Sequence, residues 1–183
     1  RDQEVLVNYG QSNRIQCYLQ PGGTDSIWCL TPTEVPMLEY GLENGKIKIQ
    51  FSPTDFTQVN HRVNQLMVEA AVEELEPGGQ DRILDLFCGV GNFSLPLAKR
   101  VAEVHGVENV PALVDRGMKN AKLNDISNAN FEIRDLYASS LRDWDPGRVD
   151  KLLIDPPRSG AFEVATWLVP RLTPQLIVYV SCN

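Results

Sequence analysis

A chain of 183 residues, 43% apolar and 8% aromatic, holds enough material for one packed domain with a small appended layer, and excludes disorder. No apolar run nears the roughly 20 residues that span a bilayer, and the first residues lack a signal-peptide pattern, so a cytoplasmic protein without a membrane partner is expected. The net charge of -7 counts against a broad phosphate-binding surface, although it leaves room for a local basic groove.

In chain order, Val5, Leu6 and Tyr9 have the spacing of a helix stripe, which Gly10 to Asn13 should stop. Residues 15–20 and 26–30 read as short strands around the turn Pro21-Gly22-Gly23. Residues 46–51 alternate like a half-buried strand after a turn at Glu43-Asn44-Gly45. Residues 1–51 thus form part of a small α+β subdomain rich in strands, and 52–183 form the main domain. Cys17, Cys29, Cys88 and Cys182 show no C-x-x-C spacing, so neither a metal site nor a disulfide framework is expected.

The main domain has a different rhythm. Val63, Leu66, Met67, Ala70, Ala71 and Leu75 recur at helical spacing, and Pro77-Gly78-Gly79 should end that helix. Strands are expected at 83–87, 104–108, 131–135, 151–155 and 176–180, with helices at 94–101 and 110–124 between them. Strands alternating with helices predict an α/β fold, a Rossmann-like parallel sheet with helices on both faces. Ligands in such sheets sit beyond the carboxyl ends of the strands.

Gly89-x-Gly91 follows the first of these strands and opens a helix, where glycines let the backbone turn tightly and approach a ligand. By itself the loop also fits a tight strand–helix turn with no ligand. Ser94 stands where the dinucleotide fingerprint has its third glycine, which disfavours an oxidoreductase. Asp85 suits a sulfonium amino acid better than a pyrophosphate. Glu108 ends the second strand, where a carboxylate can accept ribose hydroxyls, and Asp135 ends the third. A strand-end acid alone is usually a solvated cap; together these three form a nucleoside-binding constellation, and they point to S-adenosylmethionine.

Asp155-Pro156-Pro157-Arg158 closes the fourth strand, its prolines fixing the backbone and removing donors so that carbonyls can face a planar base. It is similar to the D-P-P-Y loop of amino-methyltransferases, with Arg158 in place of the aromatic residue, and it also fits a plain rigid strand exit. Ser181-Cys182-Asn183 closes the fifth strand. Cys182 is either a core cysteine or a thiolate placed to attack an electron-poor ring. The loop 51–60, by pattern alone, caps the coming helix.

Four segments in this order resemble the RNA uracil-5 methyltransferase family over nearly the whole chain: F-S-P-x-D-F-x-Q-V-N at 51–60, D-L-F-C-G-x-G-N-F at 85–93, D-P-P-R-S-G at 155–160 and V-S-C-N at 180–183. The stretch G-V-E-N-V-P-A-L-V at 106–114 and the Q-V-N ending are most similar to the branch acting on 23S ribosomal RNA; the transfer-RNA branch shares D-P-P-R-S-G. The resemblance implies S-adenosylmethionine as cofactor, RNA as partner, and C5 methylation of uridine through a covalent adduct between Cys182 and uracil C6. It implies that Gln58, Phe87, Gly89, Gly91, Asn92, Glu108, Asp135 and Asp155 hold the cofactor, with Pro156 and Arg158 near the base. It also implies an iron–sulfur centre for the full-length protein, held by cysteines that Cys17 and Cys29 do not match. The family's general base and last sheet strands lie beyond V-S-C-N, so the chain is read as a piece of a longer enzyme. A transfer-RNA enzyme, an amino-methyltransferase and a non-catalytic cofactor-binding module are the alternatives.

Overall fold

The computed structural model describes residues 2–23, 26–31 and 37–181. Cys182 and Asn183 therefore lie outside the described residues. The chain divides into two compact units, 1–38 with 52–56, and 39–51 with 57–183.

In the first unit helix α1 (Asp2–Asn13) precedes the antiparallel strands β1 (Tyr18–Leu19) and β2 (Trp28–Cys29). Gly10 does not stop the helix. It is buried within it, and a Cβ there would sit 2.7 Å from the Ile15 carbonyl and from Thr31 Cγ2. Close approach, not a turn, is what that glycine provides. Val5, Leu6 and Tyr9 stay exposed instead of forming a buried stripe. The Cys17 thiol faces the Leu6 carbonyl and the Cys29 thiol the Thr31 carbonyl, and no cluster of three potential metal ligands occurs among the described residues.

The second unit begins with a hairpin of β3 (Leu38–Leu42) and β4 (Ile47–Phe51); β3 escaped the sequence reading. Glu43, Asn44 and Gly45 all take positive φ in its turn. Helix α2 (His61–Glu74) starts at Asn60, whose side chain accepts from the Val63 amide. Its core face is Asn64, Val68, Ala71 and Val72; of the expected stripe, Ala71 and Leu75 are buried and Met67 packs against the core, whereas Val63, Leu66 and Ala70 are exposed. The pattern misleads because a polar residue, Asn64, occupies a core position.

The central sheet comprises β5 (Arg82–Leu86), β6 (Glu103–Glu108), β7 (Ala129–Ile133), β8 (Lys151–Ile154) and β9 (Leu176–Tyr179). All pairs are parallel and the order is β7-β6-β5-β8-β9. Helices α3 (Ser94–Ala98) and α4 (Pro111–Leu123) fill the crossovers. Strand β8 is buried throughout and β5 from Ile83 onward, because helices or loops cover both faces. One core holds Ile83, Phe93, Leu95, Leu97 and Val104 with the hairpin's Leu42, Ile47 and Ile49; the other holds Leu84, Leu86, Leu141, Trp144, Val164 and Leu168. A π turn at Val164–Leu168 runs into α5 (Val169–Leu172), a helical segment masked in the sequence by β-branched residues and Pro170.

Two asparagines one turn apart on α4 dock the hairpin. Asn120 accepts from the Gln50 amide at 2.9 Å and donates to the Gln50 carbonyl at 3.0 Å; Asn124 does the same to Lys48, at 2.8 Å both ways. Their amides thus act as a surrogate strand for the free edge of β4. Asn120 also donates to the Val90 carbonyl inside the glycine loop at 3.0 Å, which joins hairpin, helix and loop.

Candidate active site

The strand order reverses between β5 and β8, and this is where a doubly wound sheet opens a crevice at its carboxyl edge. The chain leaves β5 through Phe87, Gly89 and Gly91, all at positive φ. Phe87 holds that conformation without being glycine, a strain of the sort concentrated at functional loops. A Cβ on Gly89 would meet nothing within 4 Å, so open space lies over the loop there, whereas Gly91 packs against Leu95 and Phe131.

Glu108 ends β6 and clasps the loop. Its Oε2 accepts from the Gly89 amide at 3.2 Å, and its Oε1 from the Asn109 and Val110 amides at 2.8 and 3.1 Å. The carboxylate is therefore oriented before any ligand arrives, and Oε2 retains acceptor capacity. Asp85, one pleat inside β5, has no exposed surface. The buried Ser94 hydroxyl donates to its Oδ2, while Oδ1 has no hydrogen-bond partner among the described residues. Burial pushes the Asp85 carboxyl up to about 7, and the charges of Asp155 and Glu108 push in the same direction. Asp155, half-buried after β8, rises to about 6 through burial. The Cys88 thiol lies under the loop, held well above its usual range by burial and then by Asp85 and Glu108, which makes it a packing residue.

Asn92 turns its side chain inward. Its Oδ1 accepts from the Tyr40 hydroxyl at 2.9 Å and from Asn64 at 3.0 Å, and its amide donates back to Asn64 at 2.9 Å. Asp135 lies two residues past β7, exposed, with Oδ1 accepting from the Tyr137 amide at 2.8 Å. Tyr137 packs on Phe87 with ring centroids 5.7 Å apart. Its hydroxyl lies 3.0 Å from Ser159 Oγ and donates to the Gly160 carbonyl at 3.0 Å. In the D-P-P-R-S-G loop the Pro157 carbonyl accepts from the Gly160 amide at 2.8 Å, which closes a turn and leaves that oxygen one further lone pair. Pro156 is half-buried and Arg158 exposed.

The structure thus brings Asp85, Glu108, Asp155 and the glycine loop together, with Phe87 and Asp135 joined through Tyr137. Gln58 is half-buried and makes no hydrogen bond among the described residues, and Cys182 lies outside them. Tyr137, Ser94, Tyr40, Asn64 and Asn120 were missed from sequence; only Ser94 carried a signal, read there as an absent glycine. A groove of about 250 Å³ lined by Leu42, Val68, Val72, Pro96 and Arg100 contains none of these residues.

A parallel sheet in this order, with a glycine turn after its central strand, has the fold of S-adenosylmethionine-dependent methyltransferases. The chain belongs to the tRNA (Uracil-5-)-methyltransferase family, whose model matches residues 38–183. It is 47% identical to the 23S rRNA (uracil(1939)-C(5))-methyltransferase RlmD of Xanthomonas axonopodis pv. citri, covering all of this chain and 41% of that protein. It is 45% identical to the RlmD of Shewanella woodyi, again over the whole chain and 40% of the relative. The chain spans about two-fifths of the length of these relatives. Among solved structures, the tRNA (uracil-54, C5)-methyltransferase of Pyrococcus abyssi in complex with S-adenosyl-L-homocysteine matches 92% of this chain and 41% of its own, with TM-score 0.71 and 25% identity.

Proposed function

We propose that the protein carrying this chain methylates C5 of a uridine in 23S ribosomal RNA, in the cytoplasm, with S-adenosylmethionine as methyl donor. The observation that carries the reading is the clasp of Glu108 on Gly89 beside the orphaned Oδ1 of Asp85. An acidic, preoriented strand-end site with open space over Gly89 suits a ligand bearing ribose hydroxyls and positive charge. Gln58, Phe87, Gly89, Gly91, Asn92, Glu108, Asp135 and Asp155 form its binding wall, with 52–183 as the catalytic domain and 1–51 part of the preceding subdomain. The wall has the residues the cofactor needs, and when bound it supplies an electrophilic methyl group.

Residues of this chain receive the target base and start the reaction, and the general base that ends it belongs to the longer protein. Pro156 and Arg158 meet the target base, which must leave any stack to reach them. The Cys182 thiolate adds to uracil C6, and the electron pair of the C5–C6 double bond moves into an enolate that makes C5 nucleophilic. After methylation the C5 proton is removed by a base, the double bond re-forms and the thiolate departs. The named relatives support ribosomal RNA as substrate; the Pyrococcus abyssi transfer-RNA enzyme and the family's name favour transfer RNA as the second reading. Mapping 5-methyluridine in both RNAs from a strain lacking the gene tests the choice. Loss confined to 23S ribosomal RNA, restored by the wild-type gene, is expected, and loss confined to transfer RNA would overturn it.

A further inference from the structure

We propose that Tyr137 is a positioning residue, and that with Ser159 it latches the Arg158-bearing turn across the mouth of the site. This rests on the uridine-methylation reading for what the turn presents, but the latch itself stands on geometry. Tyr137 follows β7, at one edge of the sheet, whereas the turn 157–160 follows β8, on the other side of the strand-order reversal. The tyrosine bridges that gap. Its amide is caught by Asp135, its ring lies on Phe87 in the glycine loop, and its hydroxyl ends on the turn.

The hydroxyl is used in both senses. It has one proton, which goes to the Gly160 carbonyl, so the Ser159 hydroxyl is the donor in the contact between the two side chains. Gly160 sits at φ +80° and gives its own amide to Pro157, so the turn is tied at both of its last residues. Arg158, the second residue of that turn, is exposed, and neither proline beside it can rotate about φ to reorient it. Where the backbone presents Arg158 is then set by the hold on Ser159 and Gly160. Packing on Phe87 needs only the ring, and a phenylalanine would supply it; the hydroxyl has no task in the cofactor wall. Its effect should therefore fall on the RNA and spare the cofactor.

The test compares Tyr137→Phe, Ser159→Ala and the double variant in the full-length protein. Tyr137→Phe should bind S-adenosylhomocysteine within about twofold of wild type, while kcat/KM for RNA falls roughly 3- to 15-fold, the loss of one partly exposed hydrogen-bond pair. The double variant should be little worse than Tyr137→Phe, since both single changes break the same link. Amide exchange of the 157–160 peptide should quicken in Tyr137→Phe. Equal losses in cofactor affinity and RNA methylation, or additive effects of the two substitutions, would overturn the latch and leave Tyr137 a packing residue. If the wild-type protein methylates no uridine in RNA, the functional reading falls on its own. Exchange in the cofactor-product complex then decides the latch: faster exchange supports it, unchanged exchange overturns it.

Discussion

Asp85 is a fully buried carboxyl group with one hydroxyl donor and one oxygen that finds no partner among the described residues. Burial, reinforced by Asp155 and Glu108, holds it at about 7, well above the ordinary 3.8. Below pH 4 both folded and unfolded chains carry the proton, and folding is indifferent to it. Between about pH 4 and 7 the unfolded chain gives the proton up while the folded chain keeps it, so stability is lost as the pH rises through that window. Asp85→Asn, which is neutral at every pH, should lose less stability than wild type between pH 5 and 8, read from Tm by calorimetry. Identical pH slopes for the two proteins would remove Asp85 as the cause. The acids at Asp85, Glu108 and Asp155 were legible in the sequence because Glu108 and Asp155 end short apolar runs and Asp85 interrupts one just before the glycine turn. Their partners were not. Nothing in the string says that Ser94 reaches back to Asp85 or that Asn92 turns inward to Asn64.

At the scale of elements, the surrogate strand on α4 makes the sharpest demand. Asn120 is fully buried and satisfies the Gln50 amide, the Gln50 carbonyl and the Val90 carbonyl at once. Truncation to alanine strands three backbone groups in a water-poor setting, at a cost of about 3 kcal/mol. Asn124 makes the equivalent pair nearer the solvent, where water can substitute, so Asn124→Ala should cost less than about 1 kcal/mol. Urea unfolding midpoints of the two variants check the contrast, and equal costs would contradict the surrogate-strand account. The five main strands and the helices between the first three of them were readable from apolar runs punctuated by glycine and proline. The hairpin strand Leu38–Leu42 was not, because only Leu42 of its five residues is buried. The buried face of α2 was read correctly at Ala71 and Leu75, but Asn64 was missed for a related reason: Asn64 is in the core to hold Asn92, and periodicity counts only apolar residues.

At the scale of the whole molecule, the central sheet gathers residues distant in sequence at one edge. Residues 85–92, 108, 135–137 and 155–160 meet there because five parallel strands all end on the same side. That convergence follows from strand–helix alternation, which is why the class of the site could be read early. The chemistry proposed at the base rests on one atom, the sulfur of Cys182. The direct measurement uses the full-length protein, S-adenosylmethionine and a ribosomal RNA fragment whose target uridine is replaced by 5-fluorouridine. Fluorine cannot leave C5 as a proton does, so a methylated covalent protein–RNA complex should accumulate, linked through Cys182 and absent from Cys182→Ala. Formation of 5-methyluridine by Cys182→Ala on unmodified RNA, or a methyl group found on an exocyclic nitrogen, would contradict the account.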